Sequence, residues 1–71
     1  MNPLKLYLAE TGESVEVFAT KARQSTSAIY EYLRGTRKPR RSRYKQLVDA
    51  TGGKITAEQL IQYFESEEGA L

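Results

Sequence analysis

The sequence predicts an all-α fold, a compact bundle of about five short helices. Apolar residues recur at helical spacing in several short stretches, and each stretch is bounded by capping residues or glycine. No alternating apolar and polar run is long enough to indicate a sheet. The chain has 71 residues, which is near the lower limit for a core that folds without disulfides or metal. We therefore predict a single helical domain over residues 1–65 and a flexible tail over 66–71.

The first three predicted helices each follow a residue that can cap a helix. Asn2, which precedes a proline, caps the first helix, and Gly12 ends it. Ser14 caps the second helix and Ser25 the third, which ends at Gly35. Helical spacing gives the inward positions of these helices in order: Leu4, Tyr7, Leu8 and Thr11; Val15, Phe18, Ala19 and Ala22; Ala28, Ile29, Tyr32 and Leu33.

The fourth predicted helix begins at Ser42 or just before it and ends at Gly52. Its predicted inward residues are Tyr44, Leu47, Val48 and Thr51.

The fifth predicted helix has the clearest start in the chain. Thr56 and Gln59 have the spacing of a capping box, and Ile55 and Leu60 occupy the two positions of a hydrophobic staple. The residues expected to reach the core are Leu60, Ile61 and Phe64.

Composition excludes several functions. The chain contains no Cys and no His, so it lacks the commonest metal ligands, disulfides and the commonest general base. No paired acids at a credible site and no glycine-rich phosphate loop indicate catalysis. We expect no enzymatic activity, no cofactor, no metal and no small-molecule ligand. No apolar run approaches the roughly 20 residues that span a bilayer, and MNPLKLYLAETGES does not resemble a signal peptide. We therefore expect a cytoplasmic location.

Charge is distributed very unevenly along the chain. The net charge is only +2, but seven of the eleven Lys and Arg residues lie between Arg34 and Lys45, where no acidic residue occurs. Glu65, Glu67 and Glu68 lie near the other end. One face of the domain can therefore replace the counterions around nucleic-acid phosphates.

The segment Val15–Gly35 has the pattern of a helix-turn-helix. Ala19 is small where the two helices approach, and Phe18 and Ile29 are among the apolar residues that would fix their crossing. Hydroxyl groups can donate to or accept from base edges, a carboxylate can accept from cytosine, and a guanidinium can reach guanine. The predicted base contacts are Ser25, Thr26, Ser27, Tyr30, Glu31 and Arg34. The predicted phosphate contacts in the basic run are Arg37, Lys38, Arg40, Arg41 and Arg43.

Residues 15–35, and more loosely 2–62, resemble phage Cro and repressor proteins and the related xenobiotic-response-element type regulators. The similar segments are FATKA, STSAI, YLRGTRKP and ATGGKITAEQL. The resemblance implies a helical domain that binds an operator as a dimer and reads bases from the start of the second motif helix. It implies base contacts from Thr26, Ser27 and Tyr30, with Ser25 and Glu31 as further candidates, and a phosphate contact from Gln24.

Two positions in the turn depart from the family pattern. Arg23 stands where the family usually has glycine, and a non-glycine residue at positive φ costs about 1 kcal/mol, so the turn is expected to be either slightly strained or shaped differently. Gln24 stands where an apolar residue is usual, which would thin the contact between the two helices. We expect Arg23 to reach a phosphate.

The leading hypothesis is a Cro-like repressor of phage or prophage type. Two copies, associating weakly until they meet DNA, would bind a pseudo-palindromic operator with their second motif helices about 34 Å apart. One alternative is a non-specific nucleic-acid binder, for example of RNA, that uses the basic loop 34–45. Another is an antitoxin-like interaction module whose anchors are Tyr63, Phe64 and Leu71.

Each of these signals also has a simpler interpretation. The Ser-Thr-Ser cluster could serve only as a helix cap, and the basic run could be a solvated loop. Tyr30 could pack on the surface, and Glu31 could pair with Arg34 or Lys38 instead of reading a base.

Overall fold

Five helices make up the part of the chain that the computed structural model describes, residues 2–65. In chain order they are α1 (Pro3–Thr11), α2 (Val15–Ala22), α3 (Thr26–Arg34), α4 (Arg41–Ala50) and α5 (Ala57–Glu65). No residue between 2 and 65 belongs to a strand. The predicted all-α bundle is confirmed. The tail predicted over 66–71 lies outside the described residues.

Four helix starts have the predicted caps. The side-chain oxygens of Asn2, Ser14 and Ser25 accept from backbone N–H groups of the following turn at 3.0, 3.2 and 3.1 Å. At α5 the Thr56 N–H donates to Gln59 Oε1 at 2.8 Å, and the Gln59 N–H donates to Thr56 Oγ1 at 3.1 Å. These local bonds fix the helix boundaries because each satisfies a backbone donor that the helix leaves free.

The start of α4 is unlike the others. Its N-cap is Arg40, whose side chain makes no capping hydrogen bond, and no acidic residue lies in its first turn. Arg41 and Arg43 instead bring further positive charge to the positive end of the helix dipole, where each cation is unfavourable by about 0.3–1 kcal/mol. Packing of Tyr44 and Leu47, which are 4% and 0% exposed, holds this helix in place.

Every helix contributes to a single core. α2 packs against α3 and α4, α1 packs against α3 and α5, and α4 packs against α5. The largest fully buried side chains are Leu4, Phe18, Ile29, Leu47 and Leu60, one from each helix. Burying large apolar side chains of this kind contributes about 1.5–3 kcal/mol each.

Two predicted inward residues are exposed. Thr11 lies at the end of α1, where its hydroxyl donates to the carbonyl of Tyr7 at 2.9 Å. Ile61 is 37% exposed, because α5 turns Leu60 and Phe64 toward the core and leaves the position between them at the edge. The other inward residues are buried or pack around the core, the partly buried ones being Leu8, Val15, Leu33, Val48 and Phe64.

Candidate nucleic-acid interface

Helix α3 buries one side and presents the other to solvent. Ala28, Ile29 and Tyr32 are 6%, 0% and 3% exposed. All six residues predicted to contact bases lie on the accessible side: Ser25, Ser27, Tyr30 and Arg34 are exposed, and Thr26 and Glu31 are half-buried. The helix is therefore anchored along its back while its polar side chains remain available.

Glycine ends α3 and directs the chain into the basic loop. Gly35 has φ 76°, and its N–H donates to the carbonyls of Glu31 and Tyr32. The Thr36 N–H donates to the Glu31 carbonyl at 3.0 Å. A Cβ on Gly35 would lie 3.7 Å from the hydroxyl of Tyr63, so the positive φ, rather than space, is what requires glycine.

The turn between α2 and α3 has a strained backbone at Arg23, one of the two outcomes that the sequence left open. Arg23 ends α2 at φ 58° and is the sole non-glycine residue with positive φ between residues 2 and 65. The Arg23 N–H donates to the Thr20 carbonyl at 3.2 Å, and the Gln24 N–H donates to the Ala19 carbonyl at 3.0 Å. These bonds hold the turn despite a cost of about 1 kcal/mol.

Gln24 makes a polar contact between the turn and α3. Its Oε1 accepts from the Tyr32 hydroxyl at 2.8 Å, so α3 is joined to the turn by a hydrogen bond. Its Nε2 is buried and has no hydrogen-bond partner within the described part of the chain. The sequence placed Tyr32 in the core and Gln24 on phosphate, and did not predict that the two side chains meet.

Three arginines distant in sequence line one surface cavity of about 210 Å³, which we call the arginine cavity. They are Arg23 in the turn, Arg37 in the basic loop and Arg43 in α4; Gln24 and Tyr32 also line the cavity. Arg37 lies over the Tyr32 ring, with its guanidinium carbon 6.0 Å from the ring centroid, which is within cation–π range. All three arginines are predicted phosphate contacts.

A second concave surface continues this positive region between α2 and α4. It is lined by Lys21, Arg23 and Lys45, together with Gln46 and Asp49. Lys21 and Lys45 were not among the contacts predicted from the sequence. Lys21 is held by Glu13, with 2.8 Å between Lys21 Nζ and Glu13 Oε2, and this hydrogen bond raises the pKa of Lys21 above its ordinary value. Arg23 belongs to both concave surfaces and joins them.

Three of the predicted contact residues, Glu31, Arg37 and Arg41, are engaged in ion pairs at the surface. Arg37 Nη1 lies 3.3 Å from Glu31 Oε1, so Glu31 pairs with neither Arg34 nor Lys38. Arg41 Nη2 lies 3.1 Å from Glu65 Oε1, which joins α4 to the end of α5. The remaining predicted phosphate residues of the basic run, Lys38, Arg40 and Arg43, are exposed and form no ion pair with residues 2–65.

The spacing of the tyrosines correctly predicted which of them are buried and which is exposed. Tyr7, Tyr32 and Tyr44 are buried, whereas Tyr30 is 42% exposed on α3. Burial, and secondarily the Glu65 carboxylate, raises the pKa of Tyr44 to about 12.

Residues 2–65 contain no group of three or more acidic side chains placed to hold a metal ion. None of the five helices is long and apolar enough to cross a bilayer. Comparisons of the chain with protein-family models, curated proteins and solved structures find no match.

Proposed function

We propose that this protein is a sequence-specific DNA-binding regulator, a Cro-like repressor that inserts α3 into the major groove of its operator. α2 and α3 then act as a helix-turn-helix. Thr26, Ser27 and Tyr30 read base edges from the accessible side of α3, with Ser25 and Arg34 at its two ends. Two copies bind a pseudo-palindromic site and associate weakly before they meet it.

One observation supports this proposal above the others. The accessible side of α3 carries small hydroxyl residues, and cations from three separate segments surround its N-terminal end, namely Arg23, Arg37 and Arg43. Phosphate contacts position a protein on DNA, and side chains between those contacts read the bases. If the basic run were only a solvated loop, there would be no reason for Arg43 of α4 and Arg23 of the α2–α3 turn to lie with Arg37 beside α3.

The alternatives have less support. Single-stranded nucleic acid is usually bound by exposed aromatic side chains, and Tyr30 is the aromatic residue that is exposed within 2–65. The proposed protein-binding anchors Tyr63 and Phe64 pack on each other with ring centroids 4.9 Å apart, and Phe64 also contacts Tyr32. The third anchor, Leu71, lies outside the described residues.

Selection of bound sequences from a random duplex pool tests the proposal directly. A palindromic consensus is expected, with half-sites about one helical turn apart. Thr26→Ala and Ser27→Ala should then change the preferred base at particular positions. Arg40→Ala combined with Arg41→Ala should weaken every duplex alike, because phosphates are the same in all sequences. A pool that shows no enrichment would favour non-specific binding through loop 34–45, and the proposed repressor function would be wrong.

A further inference from the structure

The carboxylate of Glu65, at the end of α5, uses only one of its two oxygens. Its Oε1 lies 3.1 Å from Arg41 Nη2. Its Oε2 is buried and accepts no hydrogen bond from residues 2–65. The Tyr44 hydroxyl is likewise buried and has no hydrogen-bond partner in that range. One acceptor and one donor are therefore left unsatisfied inside the protein, which is unfavourable for each of them.

Tyr44 and Arg41 approach Glu65 from the same side of α4. They are three residues apart in this helix, and residues at that spacing are neighbours on a helix surface. After burial, the Glu65 carboxylate is the main cause of the raised pKa of Tyr44, so these two groups lie close together. Only a small rotation of the Glu65 side chain is then needed for the Tyr44 hydroxyl to donate to it.

Arg41 and Glu65 differ strongly in exposure. The Arg41 side chain is 81% exposed and the Glu65 side chain 18%. Arg41 also lies in the first turn of α4, where the helix dipole disfavours a cation. Arg41 can therefore leave the ion pair on its solvent side, whereas Glu65 would keep a largely buried negative charge. That charge is costly without a partner, unless the Tyr44 hydroxyl replaces the guanidinium.

We propose that Glu65 exchanges partners between Arg41 and Tyr44, and that this exchange releases Arg41 to a DNA phosphate. In the free protein Glu65 holds Arg41 back from DNA. In the complex Glu65 accepts from the Tyr44 hydroxyl instead. Tyr44 is thus a positioning residue for a phosphate contact that it does not itself make. That the released arginine binds DNA rests on the proposed function, whereas the exchange depends only on α4 and α5.

Thermal unfolding tests the exchange without DNA, because Arg41→Ala mimics the released arginine. With Tyr44 present to replace Arg41, this change should lower the Tm by about 4 °C at most. In a Tyr44→Phe background Glu65 has no substitute partner, and Arg41→Ala should lower the Tm by about 4–8 °C more. Glu65→Gln removes the buried charge and should largely abolish this difference. Equal Tm losses from Arg41→Ala in both backgrounds would overturn the exchange.

DNA binding at several salt concentrations tests what the released arginine does. Tyr44→Phe should weaken binding to every duplex by about two- to fivefold, because Arg41 then stays with Glu65. The salt dependence should become shallower by up to about one phosphate contact. Glu65→Gln frees Arg41, so adding Tyr44→Phe to it should change neither quantity. Tyr7→Phe is the matched control, since Tyr7 is a buried tyrosine of α1, and it should change neither quantity in the wild-type background.

The outcomes distinguish the exchange from the DNA-binding function. The same weakening by Tyr44→Phe in the Glu65→Gln background would show that Tyr44 does not act through Glu65, and would overturn its positioning role. If the Tm difference appears but Tyr44→Phe leaves the affinity for bound duplexes and its salt dependence unchanged, the release of Arg41 to phosphate is wrong. If the Tm difference appears and no duplex binds at all, the exchange is supported and the proposed DNA-binding function is wrong.

Discussion

The side-chain amide of Asn2 joins the beginning of α1 to the end of α3. Its Nδ2 donates to the Tyr32 carbonyl at 2.8 Å, across 30 positions of sequence, and to the Leu33 carbonyl at 3.4 Å. The same side chain caps α1 through its oxygen. Asn2 is 6% exposed, so both roles are fulfilled inside the protein. The helix proposed to read bases is therefore held from behind by the first helix.

Asn2→Ala should destabilise the protein more than loss of a cap alone. The cap contributes about 1 kcal/mol, and loss of the buried amide bond adds about 1–2 kcal/mol. We therefore expect the free energy of unfolding to fall by about 2–3 kcal/mol in urea denaturation. Ser14→Ala is the control, because Ser14 caps α2 with one bond and is exposed. Equal losses in the two variants would mean that the bond to Tyr32 contributes nothing.

The positive φ of Arg23 leads to a second prediction about stability. Arg23→Gly and Arg23→Ala both remove the charge, but only glycine relieves the backbone strain. We expect the glycine variant to be more stable by about 1 kcal/mol in thermal or urea unfolding. Gly12→Ala tests the reverse change at φ 71°, where no atom lies within 4 Å of the new Cβ. Gly12→Ala should lower the free energy of unfolding by about 1 kcal/mol. Equal stabilities of Arg23→Gly and Arg23→Ala would show that the backbone at Arg23 is not strained.

Features determined within a few residues could be predicted from the sequence. Asn2, Ser14 and Ser25 act as caps because each bonds to a backbone donor of the very next turn. The burial of Ile29 and Leu47 follows from helical spacing, because one face of each helix must meet the core.

Contacts that depend on packing between distant segments could not be predicted. Helical spacing offered Arg34 as a partner for Glu31, but the left-handed turn at Gly35 reverses the chain and brings Arg37 there instead. The bond between Gln24 and Tyr32 depends on how closely the turn approaches α3. Helical spacing also does not determine how wide the buried face of a helix is. The prediction that Ile61 reaches the core was wrong for this reason.

Tyr44 should make stability depend on pH in alkaline solution. Its pKa is raised from 10.0 to about 12, first by burial and then by Glu65. The folded state therefore favours the neutral phenol, and this contribution is fully present below pH about 10, the unfolded pKa. Between about pH 10 and 12 the unfolded state ionises first, so the unfolding free energy falls, by at most about 3 kcal/mol for this group.

Urea unfolding of the wild type and Tyr44→Phe at several alkaline pH values measures this contribution. The wild type should lose more stability than the variant as pH rises through that window. Glu65→Gln removes the carboxylate and should give an intermediate profile. Parallel profiles for wild type and Tyr44→Phe would show that Tyr44 does not couple to folding.

If the protein binds DNA as proposed, the ion pair between Arg41 and Glu65 should weaken that binding. Glu65 Oε1 lies 3.1 Å from the Arg41 guanidinium and competes with a phosphate for it. Glu65→Gln should therefore raise the affinity for every duplex by about two- to fivefold at low salt, and steepen the salt dependence. Glu58→Gln changes the net charge equally at an exposed position of α5 that forms no ion pair within 2–65. A similar gain in affinity in both variants would show that the effect comes from net charge and not from the ion pair with Arg41.

Glu31 allows the roles of base reading and arginine positioning to be distinguished. It was predicted to accept from a cytosine, yet its carboxylate lies 3.3 Å from Arg37, a proposed phosphate contact. If Glu31 only holds Arg37, Glu31→Gln removes a negative charge from the side that is proposed to face DNA. The affinity for all duplexes should then rise by a similar small factor. We expect this result, measured on the selected operator and on variants changed at each base pair. Ser27→Ala, by contrast, should alter the preference at one position. Should Glu31→Gln instead cost about 1–3 kcal/mol of discrimination at a single C·G pair, the ion pair must open on DNA and Glu31 must read that base.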